Sequence, residues 1–102
     1  MGTQEFLATV KSSIKHSDAN AQVILFGSRA RGTARNDSDW DFLILTNSPV
    51  NGQYKKMIED NLFQLELESE QAISVIIHSK EYWEQLKVTP LYQNIAKDGT
   101  II

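Results

Sequence analysis

The 102-residue sequence has no cysteine. That removes disulfides, thiolate metal sites and a cysteine nucleophile together. Proline (2) and glycine (5) are scarce, so no stretch has the make-up of a flexible linker or a disordered tail. A basic excess is missing as well: 10 Lys and Arg stand against 13 Asp and Glu, a formal charge of −3. That balance argues against a surface that coats nucleic acid, yet it allows the local positive spot that a small anion needs.

Long hydrophobic runs are also absent; a membrane helix needs ~20 apolar residues and no run approaches that. The opening MGTQEFLATV lacks a charged stretch followed by a long apolar core, which excludes a signal peptide. Phe6 stands where a myristoylation signal starting at Gly2 wants Ser or Thr. The expected address is the cytoplasm, without membrane contact. The length suits one domain over 1–102, able to bury roughly two-thirds of its unfolded surface.

What is present is periodicity. Phe6, Leu7, Val10 and Ile14 recur at helical spacing and predict a first helix to about His16, with Thr3 as its cap. Val23 to Phe26 is a short continuous apolar run, the pattern of a buried strand, and it stops at Gly27. Ser28 to Arg31 can form a first helical turn, Gly32 to Ser38 reads as a loop, and Asp39 to Leu45 as a second strand. A helix over about 53–68 follows, with Met57, Ile58, Leu62, Leu65 and Phe63 facing inward. Ile73 to His78 makes a third strand; Ser79 caps a short helix, and Pro90 opens a last one that Gly99 ends. The order α-β-α(short)-β-α-β-α predicts an α/β (α+β) fold, a small mixed β-sheet flanked by helices in two or three layers.

Two stretches carry chemistry. Gly27 directly after a buried strand lets the backbone turn sharply and lets a ligand approach its amides. The helical turn beyond it offers unpaired N–H groups, with the Ser28 hydroxyl and the Arg29 guanidinium as further donors to phosphate. In Asp39-Trp40-Asp41-Phe42 the two carboxylates share a strand face, about 6–7 Å apart, while Trp40 and Phe42 anchor the other. Either Asp37 and Asp39 merely solvate a turn before an edge strand, or the Asp39–Asp41 pair holds a divalent cation; Mg2+ takes one or two carboxylates plus phosphate oxygens and water. The ten-residue connection from Ser28 to Asp39 can bring both stretches to one triphosphate. Together they are the minimum equipment for in-line attack on a phosphoryl group.

The run Gly27-Ser28-Arg29-Ala30-Arg31-Gly32-Thr33, then Asp37-Ser38-Asp39-Trp40-Asp41-Phe42, resembles the signature of the minimal nucleotidyltransferases of the DNA polymerase beta superfamily. The resemblance implies transfer of a nucleoside monophosphate from an NTP such as ATP, with pyrophosphate leaving. It implies that Gly27 and Ser28 bind the triphosphate and that Asp39 and Asp41 hold Mg2+, with Mn2+ as a substitute. Prokaryotic members of this kind often pair with a helical HEPN-type protein, in some cases as an antitoxin that modifies its toxin. Positions 29 and 31 lie about 200° apart on a helix. Arg29 is therefore favoured for the nucleotide, and Arg31 for bracing the loop through Asp37 or another carboxylate, though the signature keeps Arg31 in play.

The sequence departs from the signature at its third strand. Active members carry a third carboxylate there; in this sequence Ser74 stands at about that place, and serine neither holds a metal comparably nor takes a proton near neutral pH. Glu66, Glu68 and Glu70 lie just upstream as substitutes, and His78 shares the strand face of Ser74. Trp83 and Tyr92 are aromatic candidates for base stacking, against the plainer role of core residues. Two functions therefore compete. One is a nucleotidyltransferase with a reduced metal site and an unknown acceptor. The other is a catalytically impaired binding module that works through a HEPN-type partner. No acceptor-binding region is evident, so a homo- or hetero-oligomer is expected.

Overall fold

The computed structural model describes residues 2–102. Helix α1 (Thr3–Ser17) leads to β1 (Gln22–Phe26), and the one-turn α2 (Ser28–Arg31) with a loop leads to β2 (Trp40–Thr46). Then follow α3 (Gly52–Ser69), β3 (Ile73–Ser79), α4 (Lys80–Gln85), α5 (Pro90–Asp98) and β4 (Thr100–Ile101). The sheet order is β3-β2-β1-β4, with β2 and β3 parallel and the other pairs antiparallel. This is the mixed sheet with flanking helices that the element order predicts.

Strand β2 lies at the centre and is covered on both sides. Its even-numbered residues Trp40, Phe42 and Ile44 pack with Phe6, Val10 and Ile14 of α1 and with Ile58, Leu62 and Leu65 of α3. Its odd-numbered Leu43 and Leu45 pack with Trp83 of α4 and Ile95 of α5. The period of two thus splits one strand between two cores, giving helix–sheet–helix layers. Each fully buried large aliphatic or aromatic side chain contributes about 1.5–3 kcal/mol, so this strand's register is strongly held.

The helix ends follow from side-chain caps. Asn51, Ser79 and Thr89 each accept the amide three residues on, at the starts of α3, α4 and α5. Gly99 ends α5, and a Cβ there would press on the Ile95 carbonyl and the Ile24 side chain.

Several expectations need correction. Gly2, not Thr3, sits at the cap of α1 and makes no side-chain bond, so Thr3 is the first helical residue. Asp39 precedes β2 rather than opening it. Met57 and Phe63 do not face inward: they are 38% and 55% exposed, because α3 turns only Ile58, Leu62 and Leu65 to the sheet. Strand β4 was not foreseen; two residues are too few for a periodic signal. Among the described residues no helix is long and apolar enough to cross a membrane.

Candidate functional site

The antiparallel turn from β1 to β2 and the parallel return to β3 put one end of three strands together. Phe26 at the end of β1 is registered with Asp41, and Asp41 with Ser74 near the start of β3. Asp41 belongs to the odd-numbered face of β2, the side of α4 and α5. Asp39 precedes it by two residues, and the Ser74 hydroxyl donates to Asp39 Oδ2 at 3.3 Å. Asp39, Asp41, Ser74 and the Gly27 turn thus gather at one end of the sheet.

Gly27 is required by two independent constraints. Its φ of 76° lies in the region that disfavours residues with a Cβ. A Cβ there would also collide with the Asp41 carboxylate oxygen. The Gly27 carbonyl accepts the amides of Ala30 and Arg31, each at 3.1 Å, which fixes the first turn of α2. The amides of Ser28 and Arg29 come too early in that turn to have intrahelical acceptors. They follow directly after Gly27, which packs against the Asp41 carboxylate.

Burial raises the pKa of Asp41, and the neighbouring charge of Asp39 raises it further; Arg31 pulls it partly back. A carboxylate pair with this strain is the donor set a divalent cation relieves, and Ser74 adds a neutral oxygen beside it. The arrangement fits a cation that draws its remaining ligands from phosphate oxygens and water. It does not supply three carboxylates. Among the described residues no group of three or more His, Cys, Asp or Glu is placed to hold a metal.

The two arginines of α2 diverge to opposite faces of the sheet, as their helical separation requires. Arg29 Nη2 donates to the carbonyls of Asn36 (3.2 Å) and Ser38 (2.9 Å). Its guanidinium carbon lies 4.4 Å from the Trp40 ring centroid, on the α1 side. Arg29 therefore braces the loop. Arg31 does not reach Asp37: its Nη1 stands 3.8 Å from Asp98 of α5, on the side of the carboxylates. A cleft of about 190 Å³ beside it is lined by Phe26, Gly27, Leu91, Asn94 and Ile95.

The candidate substitutes for a third carboxylate lie elsewhere. Glu66 accepts the Ile73 amide at 2.6 Å from α3, on the other face. Glu68 is exposed on α3, and Glu70 is its left-handed cap. His78 shares a face with Ser74 but lies four residues along β3, about 13 Å away. It packs there against Tyr82 and Trp83. Trp83 is buried in the α4–α5 core, its ring 5.0 Å from that of Tyr92, so neither stands at the carboxylate end. Asp98, which holds Arg31, was missed; nothing in its sequence context sets it apart from a helix-end carboxylate.

The fold agrees with comparisons to known proteins. A crystal structure of a toxin–antitoxin with AMP-PNP superposes with a TM-score of 0.66 at 15% identity, covering 92% of this chain and 69% of that one. A crystal structure of a mutant toxin–antitoxin MntA–HpeT superposes with a TM-score of 0.64 at 13% identity, covering 99% and 72%. At such identities the likeness shows a shared fold. No curated protein matches the chain. The family model described as the nucleotidyltransferase domain matches residues 6–102, nearly the whole chain, and the chain belongs to that family.

Proposed function

We propose that this domain binds a magnesium–nucleoside triphosphate and transfers the nucleoside monophosphate to a hydroxyl on a partner protein. The observation that carries this reading is the packing of Asp41 against Gly27, which leaves no room for a Cβ between the carboxylate and the turn. That packing sets the turn that opens α2 directly against one of the two carboxylates, which supports a shared site for the triphosphate and its metal.

In this reading the Ser28 hydroxyl and the first amides of α2 hold the triphosphate oxygens. Arg31, released from Asp98, adds positive charge on the same side, while Arg29 keeps the loop in shape. Asp39 and Asp41 would hold Mg2+, or Mn2+ in its place, which when bound neutralises charge on the phosphates and lowers the barrier to attack on the α-phosphorus. The acceptor oxygen bonds to that phosphorus, its bond to the bridging oxygen breaks, and pyrophosphate leaves. The acceptor's proton passes to water, since Ser74 offers no base.

The two toxin–antitoxin neighbours, one of them with AMP-PNP, support a protein partner and a triphosphate of the ATP kind. A HEPN-type helical protein in a hetero-oligomer is the partner we assign, in the role of a toxin modified by its antitoxin. One observation favours a second reading. Ser74 donates to Asp39 where a third carboxylate would sit, which suits a domain that keeps nucleotide affinity and acts by binding its partner.

The test is incubation of the domain and its candidate partner with α-labelled ATP, CTP, GTP and UTP in Mg2+ or Mn2+. Label transfer that is abolished by Asp39→Ala supports the reaction. Nucleotide binding without transfer under any of these conditions leaves the second reading in its place.

A further inference from the structure

Strand β3 forms one border of the sheet, with β2 on its inner side and, among the described residues, no strand on its outer side. Trp40 donates its amide to the Ala72 carbonyl at 2.9 Å, which sets the ladder between them. In a parallel ladder, alternate residues turn both backbone groups inward and the rest turn them outward. The Ile73 amide bonds to the Glu66 side chain at 2.6 Å, away from β2, so Val75 and Ile77 also face outward. Both side chains turn to the core, leaving Val75 half-buried and Ile77 only 6% exposed, and their outward backbone groups are a template for another strand. Natural edges are blunted by lysine, proline, bulges or covering loops. The seven residues of β3, ISVIIHS, contain neither lysine nor proline, and β3 keeps unbroken register with β2. Glu66 blunts its first amide alone.

Beside this edge runs a groove of about 330 Å³, floored by Leu62, Phe63, Ile73 and Val75 and flanked by Glu59 and Glu66. Phe63 is 55% exposed and Leu67, one turn further along α3, is 60% exposed. Residues 57–77 contain five carboxylates (Glu59, Asp60, Glu66, Glu68 and Glu70) and no Lys, Arg or His; Lys56, just before them, pairs with Asp60 at 2.8 Å, so Glu59, Glu66, Glu68 and Glu70 carry the negative charge. A second copy of this chain would bring the same negative charge to the groove, so the surface selects against self-pairing. It suits an extended segment whose apolar side chains alternate with basic ones.

We propose that the outer edge of β3 takes up a basic, extended segment of a partner protein as an added strand. Backbone pairing at Val75 and Ile77 supplies the attachment; the Phe63 groove and the acidic rim supply the selection. The inference stands on the sheet edge and its charge and does not depend on the nucleotide reading.

The test uses a short peptide of alternating lysine and valine, with a glutamate–valine peptide as control, on the full chain. Amide exchange and fluorescence anisotropy are the readouts. The lysine peptide is expected to bind and to slow exchange at Val75 and Ile77. Val75→Pro removes an outward amide at an edge position where proline is tolerated, and should weaken binding about tenfold with the remaining amide spectrum folded. The paired change Glu59→Lys with Glu66→Gln alters charge and keeps an acceptor for Ile73, and should weaken binding to a similar degree. Equal binding of the glutamate peptide would overturn the proposal, as would unchanged affinity in both variants. Concentration-dependent protection of Ile77 in the protein alone would overturn it too, by showing that the edge takes a second copy.

Discussion

Ser74 donates its hydroxyl to Asp39 at 3.3 Å from the strand position registered beside Asp41. A neutral oxygen thus occupies the corner where a third carboxylate would complete the proposed metal site. Ser74 is exposed, so the fold can accept a charge there. Ser74→Asp is expected to lower the melting temperature in chelator, since like charges near 4 Å cost about 1 kcal/mol even in water. Added Mg2+ should restore it, and Mg2+-dependent label transfer should rise at least about tenfold. A melting curve with and without Mg2+ checks the first part, and the labelled-nucleotide assay the second.

Gly27→Ala should be among the costliest single changes at the site. The positive φ alone predicts a loss of about 1–3 kcal/mol, and the new methyl must also displace the Asp41 carboxylate. Urea unfolding measures the stability loss. Triphosphate binding, followed by calorimetry below the variant's melting temperature, should be abolished.

The two arginines should separate stability from binding. Arg29→Ala removes two carbonyl contacts and the stacking on Trp40, and is expected to cost about 2 kcal/mol in unfolding free energy. Arg31→Ala breaks only a half-exposed pair with Asp98 and should change stability by less than about 0.5 kcal/mol. Its triphosphate affinity should nevertheless fall roughly tenfold or more. The reverse pattern would return the phosphate role to Arg29.

Much of this was legible in the residues. Strands β1, β2 and β3 and the Gly27 break follow from short β-branched and aromatic runs with abrupt ends, and these survive in almost any tertiary setting. The opposite orientation of Trp40 and Asp41 follows from the period of two. The arginine roles were not legible, because only the path of the loop decides which guanidinium meets its carbonyls. Nor was the outward turn of Phe63 and Met57, since α3 has more apolar residues than one face can bury. Strand β4 exists because β1 offers it an edge, a tertiary cause that leaves no local mark.

The far end of the sheet predicts a pH profile. The Asp18 carboxylate accepts the hydroxyls of Thr46 and Tyr54, each at 2.7 Å. Burial pushes its pKa up, but those bonds, the Asn20 amide and Lys15 together hold it below the usual 3.8. Tyr54 is pushed up to about 12 by burial and by its bond to Asp18. A depressed acid contributes stability above its unfolded value and loses it as pH falls through the folded one. A raised phenol contributes below its unfolded value of 10.0 and loses it as pH rises toward 12. Stability from this cluster should therefore be level between about pH 5 and 9, fall below pH 4, and fall again above pH 10. Asp18→Asn should flatten the acid limb, and chemical unfolding across that range reads both limbs.

In the proposed function the turn at Gly27 and the Asp39–Asp41 pair hold one metal–triphosphate. A crystal structure with a non-hydrolysable triphosphate and Mn2+, read by anomalous scattering, tests it most directly. The expected result is a manganese peak shared by the Asp39 and Asp41 carboxylates, with phosphate oxygens on Ser28 and Arg31 turned from Asp98 toward them. A nucleotide bound elsewhere, or a triphosphate at Gly27 with no metal between the two carboxylates, would contradict it.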